Sequence, residues 1–252
     1  MILLLGGTID SREIAKELKI KNIDFITSTV SEYGKFLAEE HSKNVVNEMM
    51  DKDRILSFIK ENSVELIIDA THPFAKNVSK NAIEASQESN IKYFRFERPG
   101  INFCENSRVF FVENLVEASN KAKQIGTNIL LTIGSRGLSE FKELIEIKNI
   151  YARVLPELNS IKACEDAGVK TGNIIAMQGP FSSAFNNLII NEKQIDLIIT
   201  KESGKAGGTI QKITSAEESG INIIIIKRPE VLYPLVFNDI DKLINKIMEA
   251  IK

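Results

Sequence analysis

Short runs of apolar, largely β-branched residues alternate along the whole chain with stretches whose apolar positions recur every three or four residues. The runs predict strands over 2–5, 24–28, 65–70, 92–97, 109–112, 128–133, 151–155, 173–177, 196–200 and 222–226. The periodic stretches predict helices over 11–19, 51–61, 76–89, 114–124, 138–147, 158–167, 182–191 and 239–251. Two of the strands, Glu-Leu-Ile-Ile-Asp at 65–69 and Ile-Asp-Leu-Ile-Ile-Thr at 195–200, are apolar on both faces. Such strands belong to parallel sheets covered by helices on each side. The alternation therefore predicts a doubly wound α/β fold. About ten strands are too many for one sheet of this length, so two Rossmann-like parallel-sheet domains with a cleft between them are expected. Their spans are 1–100 and 108–252, joined by a linker at 98–107 that contains Pro99-Gly100. A strand could cross from one sheet to the other.

Composition narrows the class. The chain has 252 residues, 43% hydrophobic and 26% charged, as a globular protein does. No apolar run reaches the roughly 18–20 residues that span a bilayer. Met1 leads directly into an apolar strand without a basic leader, so a cytoplasmic protein is expected. Cys104 and Cys164 stand far apart, outside any CxxC or Cys/His spacing. Neither a disulfide nor a metal site is expected from them. A net charge of −2 argues against a nucleic-acid partner. It leaves room for an anionic ligand where cations are gathered locally. Nothing in the pattern speaks to oligomeric state.

The first strand runs into Gly6-Gly7-Thr8-Ile9-Asp10-Ser11 and then a helix. Glycines let the backbone turn sharply and approach a ligand, and a helix N-terminus offers free N–H groups to a phosphate. Asp10 and Glu13 have the spacing of a capping box. The full GxGxxG fingerprint is missing, so a structural βα turn is the alternative. Folds that take NAD place an acid about 20 residues further on to hold the ribose hydroxyls. Here Phe25-Ile26-Thr27-Ser28-Thr29-Val30-Ser31 contains no carboxylate before Glu32. Hydroxyls at that strand end suit a 2′-phosphate, which favours NADPH; ordinary turn and cap residues are the other reading.

A third junction, Asp69-Ala70-Thr71-His72-Pro73-Phe74-Ala75, follows an apolar strand. His72, one of two histidines, could move a proton near neutral pH, or could simply cap the next helix. Arginine usage adds a further signal. The chain has 24 Lys and only 8 Arg, yet Arg95, Arg98, Arg136, Arg153 and Arg228 all sit on or beside predicted strand ends. Arginine grips carboxylate or phosphate in a planar, bidentate way. Structural ion pairs explain any one of them; several at one edge favour a polyanionic ligand. Gly134-Ser135-Arg136 and Gln178-Gly179-Pro180-Phe181-Ser182 make two more anion cradles. So does Lys201-Glu202-Ser203-Gly204-Lys205-Ala206-Gly207-Gly208, which lacks the Walker A order and so gives no support to phosphoryl transfer.

Taken in order, these segments resemble the precorrin-6A reductase and cobalt-precorrin-6A reductase family of corrin biosynthesis. The matching pieces are Leu-Leu-Leu-Gly-Gly-Thr, Asp-Ala-Thr-His-Pro-Phe-Ala, Phe-Glu-Arg-Pro, Gly-Ser-Arg, Arg-Val-Leu-Pro, Gly-Pro-Phe-Ser, Thr-Lys-Glu-Ser-Gly with Gly-Gly, and Lys-Arg-Pro. The resemblance implies two Rossmann-like halves with NADPH and a polycarboxylate tetrapyrrole in the cleft. It implies hydride transfer to one carbon of a C=C bond of the macrocycle and protonation of its neighbour. Gly6, Gly7, Thr8, Ser28, Thr29, Ser135, Arg136, Ser203, Gly207 and Gly208 would line the cofactor. Asp69, Thr71, Arg95, Arg98, Arg153 and Arg228 would meet the substrate, with His72 and Lys201 as proton donors. Abundant Ile, Lys and Asn lean toward the cobalt-loaded substrate. Competing readings are a uroporphyrinogen-III-synthase-like cyclase and a non-catalytic dinucleotide-sensing module, neither of which would consume NADPH.

Overall fold

The computed structural model describes residues 1–100, 106–204 and 207–250. Outside them lie Cys104 and the rest of 101–105 in the expected linker, Lys205 and Ala206 of the glycine-rich loop, and Ile251 of the last expected helix. The chain forms two units: Met1–Pro99 together with the segment from Pro229 onward, and Gly100–Arg228.

The first unit runs β1 (Ile2–Leu5), α1 (Ile9–Ile20), β2 (Phe25–Thr29), α2 (Glu32–Glu39), β3 (Val45–Asn47), α3 (Lys52–Glu61), β4 (Leu66–Asp69), α4 (Lys76–Glu88) and β5 (Lys92–Phe96). In the second unit the order is β6 (Val109–Val112), α5 (Leu115–Ile125), β7 (Asn128–Thr132), a 3₁₀ helix (Ser135–Phe141), α6 (Lys142–Ile147), β8 (Asn149–Val154), α7 (Leu158–Asp166), β9 (Ile174–Ala176), α8 (Ser183–Glu192), β10 (Leu197–Lys201), α9 (Thr209–Glu218) and β11 (Asn222–Ile226). The chain then returns to the first unit as β12 (Val236–Phe237) and α10 (Ile240–Ala250).

Each unit is one six-stranded sheet in which the strand pairs are parallel. The first has the order β3-β2-β1-β4-β5-β12, the doubly wound order of dinucleotide-binding folds. The second has β9-β8-β7-β10-β11-β6, the same winding with its outer place filled by the strand that precedes it. The physical cause is legible in β1. Ile2 and Leu4 face a layer with Ile14 and Leu18 of α1 and Leu243 and Ile247 of α10. Leu3 and Leu5 face the opposite layer with Ile55, Phe58 and Ile59 of α3 and Ala82 and Ala85 of α4. A strand covered on both sides must be apolar at every position. In the second unit α8 and α9 cover Val109, Leu130, Ile198, Ile223 and Ile225 through Ile189, Ile190, Ile213 and Ala216.

The fold differs from the sequence expectation in several places, and α2 (Glu32–Glu39) and α9 (Thr209–Glu218) are helices beyond those that the periodic stretches predict. The expected second domain runs to residue 252, but the chain from Pro229 groups with the first unit. There Val236 pairs with Arg95 and Phe237 with Phe96, while Leu243, Ile244 and Ile247 bury in the first core. Strands β3 and β12, of three and two residues, are too short to show a period. The expected helix 138–147 begins earlier and opens with a tight 3₁₀ turn before becoming α-helical. Among the described residues no helix is long and apolar enough to cross a membrane. If α10 is integral to the first core, Ile247→Ala should cost about 2–5 kcal/mol in denaturant unfolding; a loss below about 1 kcal/mol would contradict this packing.

Candidate functional site

In open parallel sheets a ligand crevice forms outside the strand carboxyl ends, at the point where the winding reverses. That point lies between β1 and β4 in the first unit and between β7 and β10 in the second. The sequence-predicted junctions fall on both.

After β1, Gly7 has φ 98° and a Cβ there would meet no atom within 4 Å. The backbone conformation calls for glycine, and the space beside it is open. A Cβ on Gly6 would come within 3.0 Å of Thr27 Cγ2 and 3.3 Å of the Ser28 carbonyl oxygen, so this turn lies directly against β2. Thr8 caps α1. Its Oγ1 accepts from the Ser11 N–H at 3.0 Å and donates to the Ala70 carbonyl at 2.7 Å, joining the two loops of the switch point. Ser11 Oγ accepts in turn from the Thr8 N–H at 3.1 Å. The capping box is therefore Thr8–Ser11, not Asp10–Glu13, because the helix begins at Ile9 and Ser11 stands third. Asp10 and Glu13 instead bind Arg98, at 2.7 and 2.5 Å.

At the end of β2 the hydroxyls divide. Thr27 bonds to Ser42 at 2.7 Å, and Ser31 caps α2 by accepting from the Gly34 N–H at 3.0 Å. Ser28 and Thr29 are buried, and Thr29 Oγ1 has no hydrogen-bond partner among the described residues. The first carboxylate beyond them, Glu32, accepts from Asn47 Nδ2 at 2.5 Å.

Asp69 and Arg95, expected at the substrate, are completely buried against each other at 2.8 Å. Asp69 also accepts from Thr71 N–H at 3.0 Å, Thr71 Oγ1 at 2.7 Å and the Tyr93 hydroxyl at 2.6 Å. Arg95 bridges on to Glu97 at 2.8 Å and lies over the Tyr233 ring at 5.0 Å. Burial alone would raise the Asp69 pKa, but the Arg95 charge and hydrogen bonds from Ser79, Tyr93 and Thr71 outweigh it and hold the carboxyl below its usual range. Burial and the facing Asp69 push the Tyr93 phenol well up. Asp69 and Arg95 thus present no group to a ligand; they fix the 70–75 loop. His72, in that loop, is exposed, and its Nδ1 accepts from the Phe74 N–H at 3.2 Å. In the neutral ring the proton then sits on Nε2. His72 does not cap α4, whose N-cap Ala75 has no side-chain bond.

Across the second switch point, Gly134 has φ 77° with open space where a Cβ would stand. Ser135 bonds to Ser160 at 3.2 Å, and Arg136 is exposed. Opposite, Thr209 Oγ1 donates to the Lys201 carbonyl at 3.3 Å and accepts from the Ser203 N–H at 3.1 Å, closing the glycine-rich loop. A Cβ on Gly207 would lie 1.8 Å from Ser203 Oγ, so only glycine is accommodated; Gly208 caps α9 at φ 66°. Burial, and then the charge of Arg136, lower the Lys201 pKa.

Four of the five strand-end arginines separate by partner. Arg95 and Arg98 are bound to carboxylates, and Arg228 donates from Nε to the Glu202 carbonyl at 3.2 Å with the Glu202 carboxylate at 3.9 Å. Arg153 is buried on β8, donating to Asn186 Oδ1 at 2.8 Å and stacked on Phe181. Sequence reading missed Asn186 and Lys212. The latter was detectable, since Thr209, Lys212, Ile213 and Ala216 form the buried stripe of α9 and a lysine breaks it.

These features meet in the comparisons with known proteins. The sequence model described as precorrin-6x reductase CbiJ/CobK matches residues 1–248. The chain belongs to the precorrin-6x reductase family. It is 38% identical over 247 residues to the cobalt-precorrin-6A reductase of Methanococcus maripaludis, covering 97% of each chain. It is 36% identical to the cobalt-precorrin-6A reductase of Methanocaldococcus jannaschii, over 98% of this chain and 97% of the other. A solved structure described as CobK precorrin-6A reductase superposes with TM-score 0.83 over 99% of this chain and 96% of that one, at 22% identity, and so shares the fold. Precorrin-6x reductases are oxidoreductases, and membership implies a nicotinamide cofactor.

The buried pair yields a measurable consequence. Arg95→Met should cost about 3–5 kcal/mol, because it strands the Asp69 charge in the core, whereas Glu32→Gln, on an exposed pair, should cost under about 1 kcal/mol. Since the Asp69 pKa is lower folded than unfolded, its contribution is complete above the unfolded value of 3.8 and fades as pH falls below it. Urea titrations of wild type and Asp69→Asn between pH 2 and 7 should show their stability difference narrowing toward the acid end.

Proposed function

We propose that the protein is an NADPH-dependent reductase that saturates one C=C bond of cobalt-precorrin-6A in cobalamin biosynthesis, working in the cytoplasm. The observation that carries this reading is the family match across residues 1–248, with glycine-bearing loops at both switch points. The cobalt-loaded substrate is favoured because the relatives at 31–38% identity carry the cobalt name, whereas those named precorrin-6A reductase stand at 26%.

The first unit has the features a dinucleotide needs. Gly6 and Gly7 admit a close backbone approach, and the start of α1 offers N–H groups to phosphate. The unpartnered Thr29 hydroxyl, with no carboxylate between it and Glu32, suits a phosphorylated ribose. When bound, the nicotinamide supplies the hydride. The chain's own task is to orient the reactants and to deliver a proton. His72 holds a proton on Nε2 at the open end of the first switch point. Lys201, made more acidic by burial and Arg136, is the candidate donor of the second unit. Ser135, Arg136, Ser203, Gly207 and Gly208 give that edge the positive, N–H-rich character that phosphate or carboxylate groups require.

Anaerobic incubation with NADPH and each macrocycle tests the reading. Cofactor oxidation and a mass gain of two hydrogens are expected, faster with cobalt-precorrin-6A, and NADH should be used less well. Absence of both signals with either macrocycle would sink the assignment. His72→Ala is expected to lower kcat by about 10²-fold or more while leaving NADPH affinity nearly unchanged. Unchanged turnover would remove His72 from the chemistry.

A further inference from the structure

Arg153 and Lys212, both in the second unit, are only 6% and 7% exposed. Among the described residues their hydrogen-bond partners are neutral. Arg153 donates to Asn186 Oδ1 at 2.8 Å and lays its guanidinium 4.1 Å from the centroid of the Phe181 ring. Lys212 donates to the Gly207 carbonyl at 2.8 Å. Most of their N–H donors have no acceptor among the described residues, since guanidinium carries five and ammonium three. Beside them Asn186, 1% exposed, has an Nδ2 with no hydrogen-bond partner among the described residues.

A buried, unpaired cation costs several kcal/mol, and two neighbouring ones also repel each other. Burial lowers the Lys212 pKa to about 7, with the Arg153 charge adding to it, and burial lowers Arg153 to about 10; no acidic group shifts either one. Packing alone gives no reason for the arrangement, because replacing a buried charge with an apolar side chain of similar size is often neutral or stabilising. The elements that converge here are β8 with Arg153, α8 with Asn186 and α9 with Lys212. Gly207 ties Lys212 to the loop that carries Ser203, so the cluster adjoins the second switch point.

We propose that Arg153, Lys212 and the Nδ2 of Asn186 form an oxyanion subsite that accepts one carboxylate or phosphate group. The stacked Phe181 fixes the guanidinium plane, which leaves its edge to grip two oxygens in parallel. The anion supplies the countercharge that the fold withholds and draws Lys212 back to its ammonium form. Whether the anion is a carboxylate of the macrocycle or a phosphate of the nucleotide rests on the reductase reading above. The subsite itself does not.

Lys212→Met removes a buried charge while keeping the stem, so it should fold at least as stably as the wild type. Thermal unfolding is followed in inorganic phosphate and in acetate, each against sodium chloride of equal ionic strength. The wild-type Tm should rise with the oxyanion, through ligand linkage, and the variant should lose that rise. Steady-state assays then separate the sources. A KM raised about tenfold or more, the size of one charged hydrogen bond, with kcat held within about twofold, is expected. If the shift is in the KM for macrocycle, the anion is a carboxylate; if in that for NADPH, it is a phosphate. Arg153→Lys, which keeps the charge and loses the fork, should show the same KM shift. Equal oxyanion responses in wild type and Lys212→Met, or both KM values unchanged in that variant, overturn the subsite. An oxyanion response lost in Lys212→Met in a protein that reduces neither macrocycle would overturn the reductase reading and leave the subsite standing.

Discussion

Parallel pairing constrains everything else in this molecule. Two parallel strands cannot be joined by a hairpin, so each connection must travel back along the sheet, here mostly through a helix packed on one face. With strand pairs parallel in both sheets, strand carboxyl ends gather at one edge of each unit. The faces are covered, and the strands are apolar on both sides. Chemistry is thereby confined to the loops leaving the strands, above all to the places where the winding reverses. Gly6, Gly7 and His72 sit at one such place, and Gly134, Arg136 and Lys201 at the other.

The two sheets have the same winding but complete it differently. β6 closes the second sheet from the front of its own unit, whereas β12 closes the first from beyond the second unit. This return has a local effect on the first switch point. Val236 is in register with Arg95, the Arg95 N–H donates to the Leu235 carbonyl at 2.9 Å, and Tyr233 covers the guanidinium. Arg95 holds Asp69, and Asp69 holds Thr71 and the loop that presents His72. The ordering of a candidate proton donor thus depends on chain that is more than 150 residues away in sequence.

Buried charge has opposite meanings in the two units. In the first, Asp69 and Arg95 neutralise one another, and the bonds from Thr71, Tyr93 and Ser79 satisfy the remaining carboxylate lone pairs. Such a network rigidifies its surroundings and has nothing left to offer a ligand. In the second, the partners of Arg153 and Lys212 among the described residues are neutral, and none of those residues offsets the cost of their burial. The same residue type at the same kind of strand end is structural in one case and a candidate contact in the other. The presence of a carboxylate in the right place decides which.

Much of the fold was legible because it is written in short-range periodicity. Apolar runs and helical spacing report which faces are buried, and they are enough to place ten strands, a doubly wound fold and both switch-point loops. Glycine positions were equally readable, since φ 98° at Gly7 is a demand on one residue alone. Pairings across distance were not. Asp69 and Arg95 lie 26 residues apart and Arg153 and Asn186 lie 33 apart, and no local pattern selects those partners from the alternatives. The cap on α1 is Thr8, two residues before Asp10, because the helix starts that much earlier than its spacing suggests, and two-residue β12 has no period to detect. The sequence by itself determined the class of fold, the loops that carry chemistry and the family, because these depend on local burial and on ordered motifs. Only the tertiary structure decided where the C-terminal segment returns, which arginines meet carboxylates and which buried cations meet only neutral groups among the described residues, because those follow from side chains that meet only when distant strands come into register.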